Sequence, residues 1–151
     1  MENDTRYRLH QSLGYHLSIA ARLLERRLDE NLKTLGLTRT TWCILLAVGN
    51  ENLAQPSEIA DFVGIDRTAT SRALRIMEAE GLLDRSNGTR DRRTRHVVLT
   101  DKGRDLIRKG TPFACENAAA LSEVLTPVEE TELERLLSKL SGAYEGPLKT
   151  L

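Results

Sequence analysis

No apolar run in this 151-residue chain approaches the roughly 18 residues that a membrane-spanning helix requires. The opening segment, MENDTRYRLH, lacks the apolar stretch of a secretory signal, so a cytoplasmic location and no membrane partner are expected. Two cysteines, Cys43 and Cys115, are too few for a disulfide framework and read as free thiols of a reducing compartment. His10, His16 and His96 have no metal-ligand spacing and no Cys or carboxylate cluster beside them, so neither a metal nor any other cofactor is implied. No nucleophile–base pair and no phosphate-cradling Gly loop occurs, which argues against an enzyme. Internal repeats and low-complexity tracts are absent as well.

A net charge of zero also looks like an absence, until it is divided along the chain. Residues 66–103 carry nine basic and six acidic side chains, whereas the flanking segments are each slightly acidic. The excess is densest where Arg85, Arg90, Arg92, Arg93 and Arg95 share a short run with Asp91 alone. A neutral protein with one focal basic patch suits localised docking better than general adhesion to polyanions. Hydrophobic residues at 40% and charged residues at 29% describe a globular chain with enough apolar content for a core.

The first element expected is a helix from about Arg8 to Leu35. Leu9, Leu13, Leu17, Ala20, Leu24, Leu28, Leu32 and Leu35 recur at spacings of three and four, and Gly36 stops the run. That apolar stripe is too long for a small domain to cover, and a second protomer is its natural partner. Thr38 is an N-cap for a helix over Arg39 to Val48, and Gly49-Asn50-Glu51-Asn52 is a turn cluster. Pro56 opens a short helix ended by Gly64, and Asp66 caps the next one, Arg67 to Glu80. On that helix the wheel sets Ala69, Ala73, Ile76 and Met77 on one face. Arg67, Thr68, Ser71, Arg72 and Arg75 lie on the other, with Thr70 at the edge. From Arg67 to Arg75 the rise is about 12 Å, enough to follow roughly three to four base pairs of a major groove.

Leu82-Leu83 and Val97-Val98-Leu99 are strand-like runs around an Asn87-Gly88 turn and the arginine loop. Thr100 caps a further helix, which Gly110-Thr111-Pro112 is expected to kink or to restart at Thr111. Thr126-Pro127-Val128-Glu129 is a capping-box start for a last helix burying Val128, Leu133, Leu136, Leu137 and Leu140. The fold class that emerges is mainly α with a small β-hairpin wing. A winged helix-turn-helix lobe over 37–103 is flanked by a helical dimerisation region, 1–36 and 104–151.

With the strings DRTATSRALRIMEAEGLLDR and RDRRTRHVVLTDKG, this order of elements closely resembles the multiple-antibiotic-resistance regulator (MarR) family. The wing signature of that family, an Asp, a residue, an Arg and a short run closing in Leu-Thr, corresponds to Asp91-Arg92-Arg93 through Leu99-Thr100. The resemblance implies a homodimer with two winged lobes below a helical arm. It also implies sequence-specific binding to double-stranded DNA at a pseudo-palindromic operator, usually as a repressor released by a small ligand or by oxidation. It carries Arg93 over as the wing arginine reaching the minor groove, and Asp91 as the residue that orients the wing.

Candidate DNA contacts are therefore Arg67, Thr68, Thr70, Ser71, Arg72 and Arg75 on the recognition helix, and Arg90, Asp91, Arg92, Arg93 and Arg95 on the wing. Arg pairs bidentately with guanine, while Ser and Thr serve bases or phosphates. Thr70, Ser71 and Arg72 are assigned to base edges, with Arg67, Thr68 and Arg75 closer to phosphates. Each set also has a plainer reading, a solvated helix face and a charged surface hairpin. For a small-molecule effector, Tyr15, His16, Arg22 and Trp42 offer aromatic and basic groups suited to an aromatic or phenolic carboxylate. Core packing is the plainer role for Tyr15 and Trp42, and solvent exposure for His16. A thiol sensor of the same fold and a winged-helix interaction module without DNA binding are the alternatives. Cys43, inside the apolar WCILL run, reads as a small buried hydrophobe.

Overall fold

The computed structural model describes residues 6–87, 95–144 and 146–151. A single 3-10 turn over Leu9–Gln11 precedes α1, Leu13–Thr34. The long first helix expected from Arg8 is thus divided at Ser12, whose extended backbone and side chain cap α1 by accepting from the Tyr15 N–H at 3.4 Å. Next come α2 (Arg39–Gly49), α3 (Pro56–Val63) and α4 (Arg67–Ala79). The antiparallel hairpin follows, β1 (Leu83–Asn87) with β2 (Arg95–Leu99), and then α5 (Asp101–Ser122) and α6 (Pro127–Gly142). The fold is mostly helical with a two-stranded antiparallel wing, a winged-helix architecture.

Local chemistry sets most boundaries. Thr38 and Thr41 form a reciprocal capping box at the start of α2. Thr126 and Glu129 do the same at α6, where the Thr126 N–H donates to Glu129 Oε2 at 2.8 Å. Gly64 ends α3 in the left-handed region at φ 81°, a conformation that costs glycine nothing. Thr100 caps α5 and its hydroxyl also donates to Gly81 O at 2.7 Å. That bond, with Arg104 donating to Leu99 O, ties the base of the wing to the helix that follows it.

One core joins these pieces. Ile44, Leu45, Ile59, Leu74, Met77, Leu83 and Val97 are fully buried, and Leu28 and Leu32 reach in from α1. From α5, Leu106, Ile107, Phe113 and Ala114 pack against them.

Two expectations about helices are corrected. Helix α5 runs unbroken through Pro112, with no restart at Thr111. A proline removes one helical hydrogen bond, but here packing pins the turn that contains it. Gly110 is buried under Trp42, so closely that a Cβ would lie 2.5 Å from the indole ring. Helix α6, expected to bury its leucines, buries none within the protomer, because no other element among the described residues packs extensively against it. Leu136 and Leu137 are 42% and 43% exposed, and Val128, Leu133 and Leu140 are also open.

Candidate nucleic-acid interface

Helix α4 presents the site. Asp66 caps it, with Oδ1 accepting from the Ala69 N–H at 2.6 Å. Its inward face is Thr70, Leu74 and Met77, flanked by the half-buried Ala69 and Ala73. This differs from the expected wheel. Leu74, the largest apolar side chain available to that face, rotates it away from Ile76, which is 50% exposed. Outward stand Arg67, Thr68, Ser71, Arg72 and Arg75, all exposed, lining a groove of about 390 Å³.

Thr70 does not belong with them. It is 1% exposed, and its hydroxyl donates to Asp66 O at 2.9 Å, the local bond that lets a threonine face the core. Its assignment to a base edge is corrected accordingly: Thr70 anchors the first turn of α4.

Three arginines share this face of α4. Arg67, Arg72 and Arg75 make no ion pair among the described residues. Other arginines are held: Arg39 by Asp29 at 2.9 Å, Arg27 by Glu116 at 3.2 Å, and Arg135 by Glu132 at 2.7 Å. Arg85, counted in the basic run of the sequence, donates to Glu78 at 2.8 Å and is neutralised there by a carboxylate that the linear count missed. Unpaired guanidiniums on one helix face are donors still available to a partner.

The wing's pairing register is Leu83 with Leu99, Asp84 with Val98, Arg85 with Val97, Ser86 with His96 and Asn87 with Arg95. The strand is lengthened on its other side by the Val97 N–H, which donates to Ala54 O at 2.7 Å. Arg90, Asp91, Arg92 and Arg93 lie outside the described residues, and of Arg95 only the backbone pairing is described.

The four effector candidates separate. Tyr15 is half-buried, with its ring edge-on to His10 at 5.2 Å and 6.2 Å from His16. Arg22 lines a different surface, a charged groove shared with Glu25, Arg26, Asp29, Glu30 and Lys33. Trp42 is 3% exposed and sealed against Gly110, so its place in a pocket is corrected to a place in the core. Cys43 is half-buried, and burial pushes its thiol pKa up, away from the thiolate that peroxide chemistry needs. Cys115 is exposed on α5. No helix among the described residues is long and apolar enough to cross a membrane.

With that geometry in place, three comparisons bear on it. The family model described as the MarR family matches residues 35–94, from the end of α1 through the wing arginines. The transcriptional repressor MprA of Escherichia coli K12 is 29% identical over 126 residues, covering 82% of this chain and 71% of MprA. A mutant of MarR from E. coli, solved in complex with operator DNA, superposes with a TM-score of 0.76 at 25% identity, over 85% of this chain and 92% of that one. This chain is similar to MarR-family transcriptional regulators over its winged-helix segment and in its fold. The regulator MosR of Mycobacterium tuberculosis, solved with DNA, is similar too, with a TM-score of 0.72 and 29% identity over 87% and 95% of the two chains. Members of the family are transcription regulators and not enzymes.

Sequence reasoning missed three features around the site: the docking of Gly110 on Trp42, the pairing of Ala54 with β2, and a return of the chain's last residues to α4. All three are contacts between distant segments, which periodicity and capping rules do not address.

Proposed function

We propose that this protein is a homodimeric, sequence-specific repressor that binds a pseudo-palindromic operator and is released by a small aromatic or phenolic carboxylate. The observation that carries the DNA reading is the outer face of α4, where Arg67, Arg72 and Arg75 stand exposed without an ion pair among the described residues. We assign Arg72 and Ser71 to base edges, and Arg67, Thr68 and Arg75 to phosphates. Similarity to MarR and MosR, both solved with DNA, supports the same use of this face. The wing residues Arg90, Asp91, Arg92, Arg93 and Arg95 extend it, with Arg93 entering a minor groove whose narrowing favours arginine.

The dimer reading rests on the leucines left open on α1 and α6. A second copy that covers them sets the two α4 helices about one DNA turn apart. Release requires only that an effector prefer one lobe spacing by about 1–3 kcal/mol. Arg22, exposed on α1, and Tyr15 and His16 near its start are the groups we assign to an acidic aromatic ligand. The raised thiol pKa of Cys43 weighs against the oxidation reading.

A gel shift on the DNA upstream of the protein's own gene, in the cytoplasmic range of salt, tests this directly. It is repeated with a panel of aromatic acids and with peroxide. Binding released by an acid is expected. Release by peroxide alone would favour a thiol sensor, and no shift even at low salt would favour an interaction module.

A further inference from the structure

The last residues of the chain return from α6 to the helix-turn-helix. Leu148 pairs in parallel with Ile65, the buried residue of the turn between α3 and α4. Two backbone bonds make this bridge: the Leu148 N–H donates to Gly64 O at 2.8 Å, and the Asp66 N–H donates to Leu148 O at 2.7 Å. The segment thus adds a short strand to the turn that sets the angle of α4.

The bridge fixes the residue that follows it. Lys149 lines a groove of about 340 Å³ with Asp66, Thr68, Ala69 and Arg72. Thr68 and Arg72 also line the groove of the recognition face, so the two form one surface carrying Arg67, Arg72, Arg75 and Lys149. Among the described residues that line it Asp66 is the one acid, and its Oδ1 already accepts from the start of α4. Lys149 makes no ion pair among the described residues.

We propose that this C-terminal segment is part of the DNA interface and that Lys149, held in place by the Leu148–Ile65 bridge, contacts a backbone phosphate beside α4. The inference rests on the DNA reading given above. A cation tethered by backbone bonds loses less freedom on binding than one on a free tail. A lysine beside the start of a recognition helix lies where phosphates pass, and a contact of this kind positions the protein without reading sequence. The contribution is therefore expected on any duplex and to be sensitive to salt.

The test uses full-length protein and two probes: a duplex selected by the wild type from a random-sequence pool, and a scrambled duplex of equal length. Lys149→Gln should weaken binding to both alike, and Lys149→Arg should restore it. Each lost phosphate contact lowers the slope of log affinity on log salt by about 0.9. Between 50 and 200 mM salt, the wild type should accordingly lose about three- to fourfold more affinity than Lys149→Gln for each such contact. Removing residues 146–151 should lower the slope to the same degree, with circular dichroism reporting whether the lobe stays folded. Arg72→Ala serves as the control for the recognition face and should narrow the preference for the selected duplex. An unchanged slope in Lys149→Gln overturns the proposal, and so does tighter binding after truncation, which would make the segment a cover over α4. Failure of the wild type to bind either duplex removes the DNA reading itself, and this inference with it.

Discussion

The lobe and the arm of this protein leave opposite things unsatisfied. In the lobe, apolar side chains from α2, α3, α4 and the hairpin are closed into one core, with Ile44, Leu45, Ile59, Leu74 and Leu83 sealed from solvent. What stays open there is charge, on the outer face of α4. In the arm, several charges are matched within the chain: Arg108 and Lys109 both engage Asp105, Arg135 engages Glu132, and Arg27 engages Glu116, while Arg22, Arg26 and Lys139 make no ion pair among the described residues. What stays open is hydrocarbon, at Leu13, Leu23, Leu133, Leu136, Leu137 and Leu140. A monomeric soluble chain rarely leaves a large connected apolar face exposed. On the proposed reading the two surfaces serve two partners, a polyanion at α4 and an apolar surface at the arm.

The comparison is sharpened most by leucines. Leu74→Ala in the lobe should cost about 2–5 kcal/mol in chemical denaturation, because the cavity has rigid walls. Leu136→Glu combined with Leu140→Glu should leave the lobe folded yet abolish self-association in sedimentation. A lobe that unfolds with that pair would break the distinction between closed and open regions.

Gly110→Ala probes the joint between the regions. Its new methyl would meet the Trp42 ring, and overpacking of this kind costs about 1–3 kcal/mol. On the recognition face, Arg72→Ala should weaken binding to a selected duplex at least about tenfold, in line with the 1–3 kcal/mol of a bidentate base contact, with melting temperature unchanged. Thr70→Val should do the reverse. DNA affinity holds, and stability shifts by about 1 kcal/mol as the bond to Asp66 O is lost.

The smallest effect is at α6. Hydrogen bonds from the Thr126 backbone and then its hydroxyl hold the Glu129 carboxyl pKa below its ordinary value. A depressed folded pKa contributes stability above the unfolded pKa, and that contribution is lost as pH falls through the folded value. Glu129→Gln should therefore flatten the acid limb of the melting profile, and an NMR titration should find the wild-type carboxyl titrating low.

Much of this was legible in the residues. Thr38, Asp66, Thr100 and Thr126 announce their helices because a capping bond is local, and so is the stop at Gly64. The paired strands follow from the alternation of their residues. The misreadings at Pro112 and α6 came from packing beyond the local segment, and those on α4 and at Ser12 from local geometry. Pro112 is a helix breaker only when nothing holds its turn, and the sequence does not say that Trp42 sits on Gly110. Thr70 looks like a surface threonine until its hydroxyl is seen to donate to the Asp66 carbonyl. Leu74 fixes the buried face of α4, but the spacing of Ala69 and Ala73 suggested another. The leucines of α6 were read as buried, and in the protomer they stand open.

The central claim, that the unpaired cations of α4 and the open leucines of the arm serve DNA and a second copy, is tested most directly by the mass of the complex on a selected duplex. Sedimentation should give two chains per duplex for the wild type, and Leu136→Glu with Leu140→Glu should abolish that species. A single chain bound with full affinity, or no complex at about 50 mM salt, where phosphate contacts are strong, would contradict it.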